Sequence, residues 1–453
     1  MQRTTSIHGR WSHRWVFILA ALGSSVGLGN IWKFPYITGE NGGGTFVLIY
    51  LLCVVLIGLP LMMAEVLIGR RGRLSPVNAI ALCARETSVS PRWQLLGWLG
   101  MLTGFLIFSF YSVVAAWILH YIPAMAKGVL AGAGIQQTSR YFEALLVSPE
   151  RLILGHSAFV GVVMTVLALG VRRGLDRAVR IMMPALFFLL LLLLIYAANT
   201  GYFKHALVYL FHFDLEKVTP QSVLVAMGHA FFTLSLGMGA IMMYSAYMGR
   251  RDSIGRSVLW IGLLDTLIAL MIGLAIFPIV FASQLDPASG PGLVFITLPV
   301  AFAQMPAGQV LGFVFFILVG LTALTSAISL MEPVTAWTVE RFKVMRWQAA
   351  LIWGVLAWLL GLAVLVSFET MSSLRFFSRN LFDWLNYFTS NLFLPLGGLG
   401  LAIFVGWKLS RRVTESELHL QQTWLYLAWY FAIRYLVPAA LGIIFVANLY
   451  NII

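Results

Sequence analysis

The chain has 453 residues, 60% of them hydrophobic and only 10% charged, with a formal net charge of +13. A soluble chain of this size would carry about a quarter charged residues. Composition therefore excludes an ordinary soluble domain. The apolar residues also fall in long runs, and a helix that crosses a bilayer needs about 20 of them.

Eleven spans are predicted, near 14–37, 45–69, 95–126, 152–170, 175–198, 220–249, 255–283, 305–339, 347–366, 380–407 and 423–450. The expected fold is an all-α polytopic membrane protein, a single transmembrane domain in a lipid bilayer. The stretch 185–198 (ALFFLLLLLLIYAA) has no polar face, so a soluble amphipathic helix is excluded there. The first span follows a basic start but runs past Asn30 and Pro35 with no small-residue cleavage site, unlike a cleaved signal.

The positive charge follows topology. With a cytoplasmic N-terminus, Arg3, Arg10 and Arg14 lie inside, with the loops carrying Arg70, Arg71, Arg172, Arg173, Arg250, Arg251, Arg341, Arg346 and Arg411. The outer side holds only Lys127, Arg140, Arg151, Lys204, Lys217, Arg375 and Arg379, while Lys33 and Arg434 sit within spans. Such a bias orients a membrane protein. An odd number of spans then puts the C-terminal 451–453 outside. Nucleic acid is excluded as a partner, because the charge has this topological reason. Cys53 and Cys83 lie on different parts of the topology and suggest neither a disulfide nor a metal site.

Two spans carry clustered glycines beside polar residues. The first contains 23–30 (GSSVGLGN) and the sixth 233–239 (TLSLGMG). Glycine weakens a helix, and unwound backbone inside a bilayer is tolerated only where it is buried in protein or lines a cavity. Paired breaks five helices apart point to a transporter built from inverted repeats, 14–198 and 220–407, with 423–450 outside them and the site at mid-membrane. The plainer alternative is close helix packing through small residues.

Intramembrane acids are costly and mark function by default; Glu65, Asp265, Glu332 and Asp383 stand out. An unpaired Asp265 carboxylate would neutralise or hold a cation. Oxygen ligands suited to an alkali cation are at hand in Asn30, Thr233, Thr325, Ser326 and the carbonyls at the breaks. The alternative is a protonated Asp265 in a packing role. Tyr111 and His229 are equally read as satisfied polar groups, and Arg434 has no evident partner.

The stretch 23–35 (GSSVGLGNIWKFP), followed by 40–46 (ENGGGTF), resembles the opening of the neurotransmitter:sodium symporters. So do 231–239 (FFTLSLGMG) and 324–329 (LTSAIS). The resemblance spans essentially the whole chain; the eleven spans and the Gly-Met-Gly break resemble the family's bacterial branch of hydrophobic amino-acid transporters. It implies two sodium sites. The first would use Ser25, Asn30, Thr233, Asp265 and the substrate carboxylate. The second would use the carbonyls of Gly23, Val26 and Thr322 with the hydroxyls of Thr325 and Ser326. Asp265 departs from bacterial members that have Asn there and Glu four residues on, where this chain has Ala269. Chloride-dependent relatives lack both acids, so the resemblance implies that Asp265 supplies the charge that chloride supplies elsewhere.

Gly27 stands where amine-carrying members have Asp, and so implies an amino-acid substrate. Its carboxylate would meet the Leu28 and Gly29 amides and Tyr111. Its amine would meet carbonyls of Ser25, Phe232 and Thr233 and the Ser235 hydroxyl. Ile107, Tyr111, Phe232, Met238, Ser326 and Leu330 would line the side-chain pocket, which favours hydrophobic amino acids. Phe232 and Tyr111 would form a lid. Lys33 would latch the outer side, with Asp383 or Asn386 as its partner. Trp11, Tyr247 and Glu340 occupy inner gate positions, with His8 or Arg10 as the basic partner. Glu65 would brace the unwound sixth helix. Gly174 and Pro184 match a Gly-X9-Pro pattern for unwinding the fifth helix, or mark a helix start and a kink. The expected function is sodium-coupled, chloride-independent import of hydrophobic amino acids. A proton-coupled permease of the same architecture and a non-transporting amino-acid sensor are the alternatives; oligomeric state is not legible. No nucleophile–base pair suggests an enzyme.

Overall fold

The computed structural model describes residues 7–286, 290–369, 380–419 and 423–450. Arg3, Arg375, Arg379 and the C-terminal 451–453 lie outside the described residues. Within them the chain is helical, with no strand.

The spans are α1 (Arg14–Ser25 and Gly29–Glu40), α2 (Gly44–Gly72), α3 (Pro91–Ala126), α4 (Pro149–Ala168), α5 (Val171–Ala198) and α6 (Pro220–Thr233 and Ala240–Ala246). Then follow α7 (Ile254–Ala282), α8 (Gly308–Phe342), α9 (Arg346–Phe368), α10 (Leu381–Lys408) and α11 (Trp424–Tyr450). Among the described residues nine helices are long and apolar enough to cross a bilayer, and the two halves of α1, bent by 52° at their break, make a tenth. The expected sixth span is present as two short helices, neither long enough by itself. Observed ends differ from the expected ones by about a turn at most.

Pairing explains which helices lie inside. α3 and α8 pack along each other most extensively. The first half of α1 touches α5, α7 and α8, and the second half of α6 lies on α2. Every residue of Ala240–Ala246 is buried, as are Phe17, Leu22 and Val26 in α1. Lipid-facing apolar residues, such as Leu351, Ile352, Val355 and Leu359, lie on the outer helices. π-turns interrupt α1 at Gly29–Lys33, α2 at Val54–Gly58, α5 at Val171–Leu175 and α10 at Phe388–Phe393. Three of them are followed two residues on by a proline, Pro35, Pro60 and Pro395, which lacks the N–H of the helix ladder; such bulges recur at functional sites.

The connection between α7 and α8 contains the helix Thr297–Gln304. Its Phe295 stacks on Phe142 at 5.2 Å and meets Trp32 at 5.8 Å, and Tyr121 Oη donates to the Phe295 carbonyl at 2.7 Å. On the opposite, arginine-rich face Arg70 pairs with Glu417 at 2.9 Å and Arg71 with Glu86 at 2.5 Å. There burial pushes the Cys83 thiol up to about 12. Arg434, without a partner in the sequence reading, lies over the Trp407 ring at 4.5 Å and donates to Tyr430 Oη at 3.2 Å. The electron-rich face of an aromatic ring attracts a guanidinium.

The closest approach of α2 to α6 runs over Gly69, where a Cβ would sit 1.9 Å from the Met242 carbonyl oxygen. G69A should therefore lower stability by about 1–3 kcal/mol, read as a lower thermal midpoint of the purified protein in detergent. G161A, with nothing within 4 Å of the added atom, should leave it in place; equal midpoints for both variants would contradict this packing.

Candidate functional site

The two helix breaks face each other. α1 leaves the helical path at Val26 (φ −74°, ψ 91°). α6 does so over 234–239, where Ser235, Gly237 and Gly239 have φ of 53°, 82° and 75°. That left-handed conformation suits glycine and strains serine; Ser235 is held there as its hydroxyl donates to the Ser24 carbonyl at 2.8 Å. Gly27 is required by close approach, since a Cβ would come within 2.6 Å of Ser326 Oγ. The freed backbone at Gly237 finds a partner: its N–H donates to Glu65 Oε1 at 2.7 Å.

Between the breaks lies a cavity of about 290 Å³. All twelve residues that the sequence reading assigned to substrate, from Ser25 to Leu330, line it. Two of their hydroxyls, Ser25 Oγ and Tyr111 Oη, are buried with no hydrogen-bond partner. Tyr111 Oη sits beside the Leu28 backbone and Ser326 but meets neither in hydrogen-bond geometry. Unmet hydroxyls beside helix-end amides and carbonyls can take both ends of a zwitterion. Ser24, Trp32, Tyr36, Phe110, Ser329 and Phe382 also line the cavity and were missed; nothing local sets them apart from packing residues.

Beside the cavity, three fully buried polar residues from three helices meet. Asn30 Nδ2 donates to Asp265 Oδ1 at 3.0 Å, and Thr233 Oγ1 donates to Asn30 Oδ1 at 2.5 Å and to Asp265 Oδ2 at 3.4 Å. Asp265 has no cationic side chain paired with it, and Ser25 lies on the adjacent cavity wall. Carboxylate, amide and hydroxyl oxygens of this kind fit a hard alkali cation. Of the second expected set, Gly23 packs against Thr325, and Ser326 Oγ donates to the Gly23 carbonyl at 3.3 Å. Thr325 donates to the Thr322 carbonyl at 3.0 Å, which leaves its lone pairs free. Val26 caps the first half of α1. Among the described residues no cluster of His, Cys, Asp and Glu could hold a metal ion.

The two ends of the cavity differ. Toward the arginine-rich face, the Trp11 backbone N–H donates to the Tyr247 carbonyl at 3.1 Å and its indole N–H to the Tyr244 carbonyl at 2.8 Å. Glu340 accepts from the Ser75 N–H and hydroxyl, Asn78 and His8 at 2.5–2.9 Å. Of the two basic residues offered, His8 and Arg10, it is His8 that meets Glu340. Tyr247 Oη donates to Glu332, which Arg346 holds at 2.5 Å; Arg346 was read only as a topological charge. At the other end Lys33 Nζ lies 4.2 Å over the Phe232 ring. Asp383 instead caps its own helix through Asn380, and Asn386 accepts from Ser390 at 3.1 Å. Among the described residues no ion pair joins Lys33 to Asp383, although both line the cavity.

α5 is wound from Val171 and contains both Gly174 and Pro184, so the helix does not start at Gly174. A Cβ on Gly174 would lie 2.0 Å from the Val166 carbonyl oxygen, which gives the glycine a packing reason. Ser12 ties the N-terminal segment to this helix, donating its N–H and hydroxyl to Asp176 at 3.0 and 2.8 Å.

The chain superposes on a crystal structure of MhsT in complex with L-phenylalanine, with a TM-score of 0.88, 38% identity and coverage of 97% of this chain and 99% of that one. It is 34% identical to a Bacillus subtilis protein described as an uncharacterized sodium-dependent transporter, YhdH, over 98% of both chains. A Haemophilus influenzae sodium-dependent transporter is 30% identical over 97% of this chain and 98% of its own. The profile of the sodium:neurotransmitter symporter family matches residues 8–138 and 152–452. The chain belongs to the sodium:neurotransmitter symporter family, a family of multi-pass membrane transporters.

Proposed function

We propose that the protein is a sodium-coupled symporter that imports hydrophobic amino acids, aromatic and aliphatic, by alternating access and without chloride. The observation that carries this reading is one cavity lined by both helix breaks, with unmet Ser25 and Tyr111 hydroxyls, directly beside the buried Asn30–Thr233–Asp265 cluster. The names of similar proteins support it: sodium-dependent transporters, and MhsT with L-phenylalanine.

In this reading the substrate carboxylate lies on the Leu28 and Gly29 amides and Tyr111. It completes a first sodium site made by Ser25, Asn30, Thr233 and Asp265. A second sodium rests on Gly23, Val26, Thr322, Thr325 and Ser326. The Asp265 carboxylate balances the charge of two cations near one carboxylate in a medium of low dielectric constant. Ion and substrate share ligands, so each raises the affinity of the other. Residues 14–198 and 220–407 act as inverted repeats, with the arginine-rich face cytoplasmic and the C-terminus outside in a bacterial plasma membrane. Trp11, Tyr247 and Glu340 close the inner side here. Lys33 latches the outer side once substrate draws Phe232 and Tyr111 over the pocket, and unwinding at Gly174 and Pro184 releases the inner sodium.

Purified protein in lipid vesicles should accumulate L-phenylalanine under an inward sodium gradient. Undiminished uptake in sodium-free buffer under a proton gradient would instead establish the proton-coupled alternative. Binding with no accumulation under either gradient would establish a sensor.

Asp265→Asn removes the charge that balances the cations. It should lower sodium-driven uptake by about tenfold or more, or make it respond to chloride. Full uptake by the variant in chloride-free medium would contradict the charge-balance role.

A further inference from the structure

The cavity contains a pair of hydroxyls to which the reading above gives no task. Ser24 lies in the last turn of the first half of α1, and Ser329 lies one turn beyond Ser326 on α8. Both line the cavity and both are more than nine-tenths buried. Ser24 Oγ donates to Ser329 Oγ at 2.7 Å, and Ser329 Oγ donates to the Ser326 carbonyl at 2.7 Å. A hydroxyl has one proton and two lone pairs. Both protons are therefore used within the protein, and the pair offers the cavity lone pairs only. The Ser24 carbonyl also accepts from Ser235 and Ser326, at 2.8 and 3.2 Å, which fixes Ser24 in place. Around this acceptor the wall is apolar, with Ile107, Met238 and Leu330.

We propose that the Ser24–Ser329 pair determines specificity within the pocket by accepting a hydrogen bond from the far end of the substrate side chain. It favours aromatic amino acids that carry an N–H or O–H donor, of the indole or phenol class, over ring systems of the same size that lack one. This rests on the amino-acid reading of the same cavity and names its preferred substrates. The chemistry is asymmetric. A wholly apolar side chain leaves lone pairs unused but orphans no donor, so it is tolerated. A side chain ending in a carboxylate sets lone pairs against lone pairs, and is rejected where water is scarce. If the two hydroxyls only tied α1 to α8, ligand donors would make no difference.

Sodium-dependent binding to the purified protein is measured for L-phenylalanine, L-tryptophan and β-(3-benzothienyl)-L-alanine, which keeps the bicyclic shape of tryptophan and has sulfur in place of the N–H. Tryptophan should bind about threefold to tenfold more tightly than its sulfur isostere. The double variant S24A/S329A, whose deep wall is apolar, should bring that ratio to about one. S329A alone should weaken the preference, since it frees the Ser24 proton to act as a donor. The ratio in the unaltered protein decides the matter even if the variants do not fold. Equal binding of tryptophan and its isostere, or a preference that survives in the double variant, overturns the proposal, as does binding of phenylalanine with exclusion of both bicyclic ligands. Absence of sodium-dependent binding for all three would overturn the amino-acid reading itself, a result distinct from these.

Discussion

A backbone group left unpaired inside a bilayer costs several kcal/mol, and α1 and α6 each leave several such groups at the level of the cavity. The rest of the structure is arranged around that debt. Gly237 finds the Glu65 carboxylate, and the Ser24 carbonyl finds the hydroxyls of Ser235 and Ser326. A partner helix must come close enough to supply these groups, so glycines sit where α2, α6 and α8 approach, with contact distances that leave no room for a Cβ at Gly27 or Gly69. The Ser25 and Tyr111 hydroxyls, buried without a partner, belong to residues that line the cavity between the breaks, where a charged ligand can meet them. Helix breakage is thus both the principal cost in the fold and the origin of the site.

The buried acids divide by how their charge is met. Glu332 is held by Arg346 and Tyr247, and Glu340 by four donors including His8. Both act as ties between helices toward the arginine-rich face. Asp265 receives only neutral donors, from Asn30 and Thr233. A carboxylate with neutral donors alone is incompletely compensated when buried, and Asp265 differs from Glu65, which takes the Gly237 N–H, in that its partner Thr233 lines the cavity. This contrast separates an acid that fastens helices from one that suits a cation. It also sets the ends of the cavity apart: one is fastened by hydrogen bonds, while Lys33 at the other rests on an aromatic ring.

Long apolar runs made the spans legible in the sequence, and the glycine clusters marked the two breaks because glycines beside polar residues have few other uses within a membrane. The residues themselves suggested Asn30 and Thr233 as oxygen ligands beside Asp265, together with Thr325 and Ser326; dividing them into two sets was legible only through family resemblance. Their periodicities say nothing of which helix faces which. Glu332 stood out as a buried acid, but its partner lies across a turn on the next helix, and Arg346 looked like any other charge of the arginine-rich face. Ser24 and Ser329 lie inside the quoted motifs 23–30 and 324–329, but nothing there told them apart from their neighbours, since a serine beside a cavity has the same local pattern as one in a packed seam. The π-turns had a partial sign in the sequence: Pro35, Pro60 and Pro395 each follow one of them by two residues, while Val171–Leu175 has no such proline. The Gly174 pattern admitted two readings, and the Val166 carbonyl supplies a packing reason for the glycine.

The central claim is that ion and amino acid share one site and so support each other's binding. Equilibrium binding of L-phenylalanine to the purified protein, titrated with sodium at constant ionic strength against choline, tests it most directly. The account predicts that sodium raises the affinity for phenylalanine by about tenfold or more, and that saturating phenylalanine raises the affinity for sodium by the same factor. Equal phenylalanine affinity in sodium and in choline would contradict it.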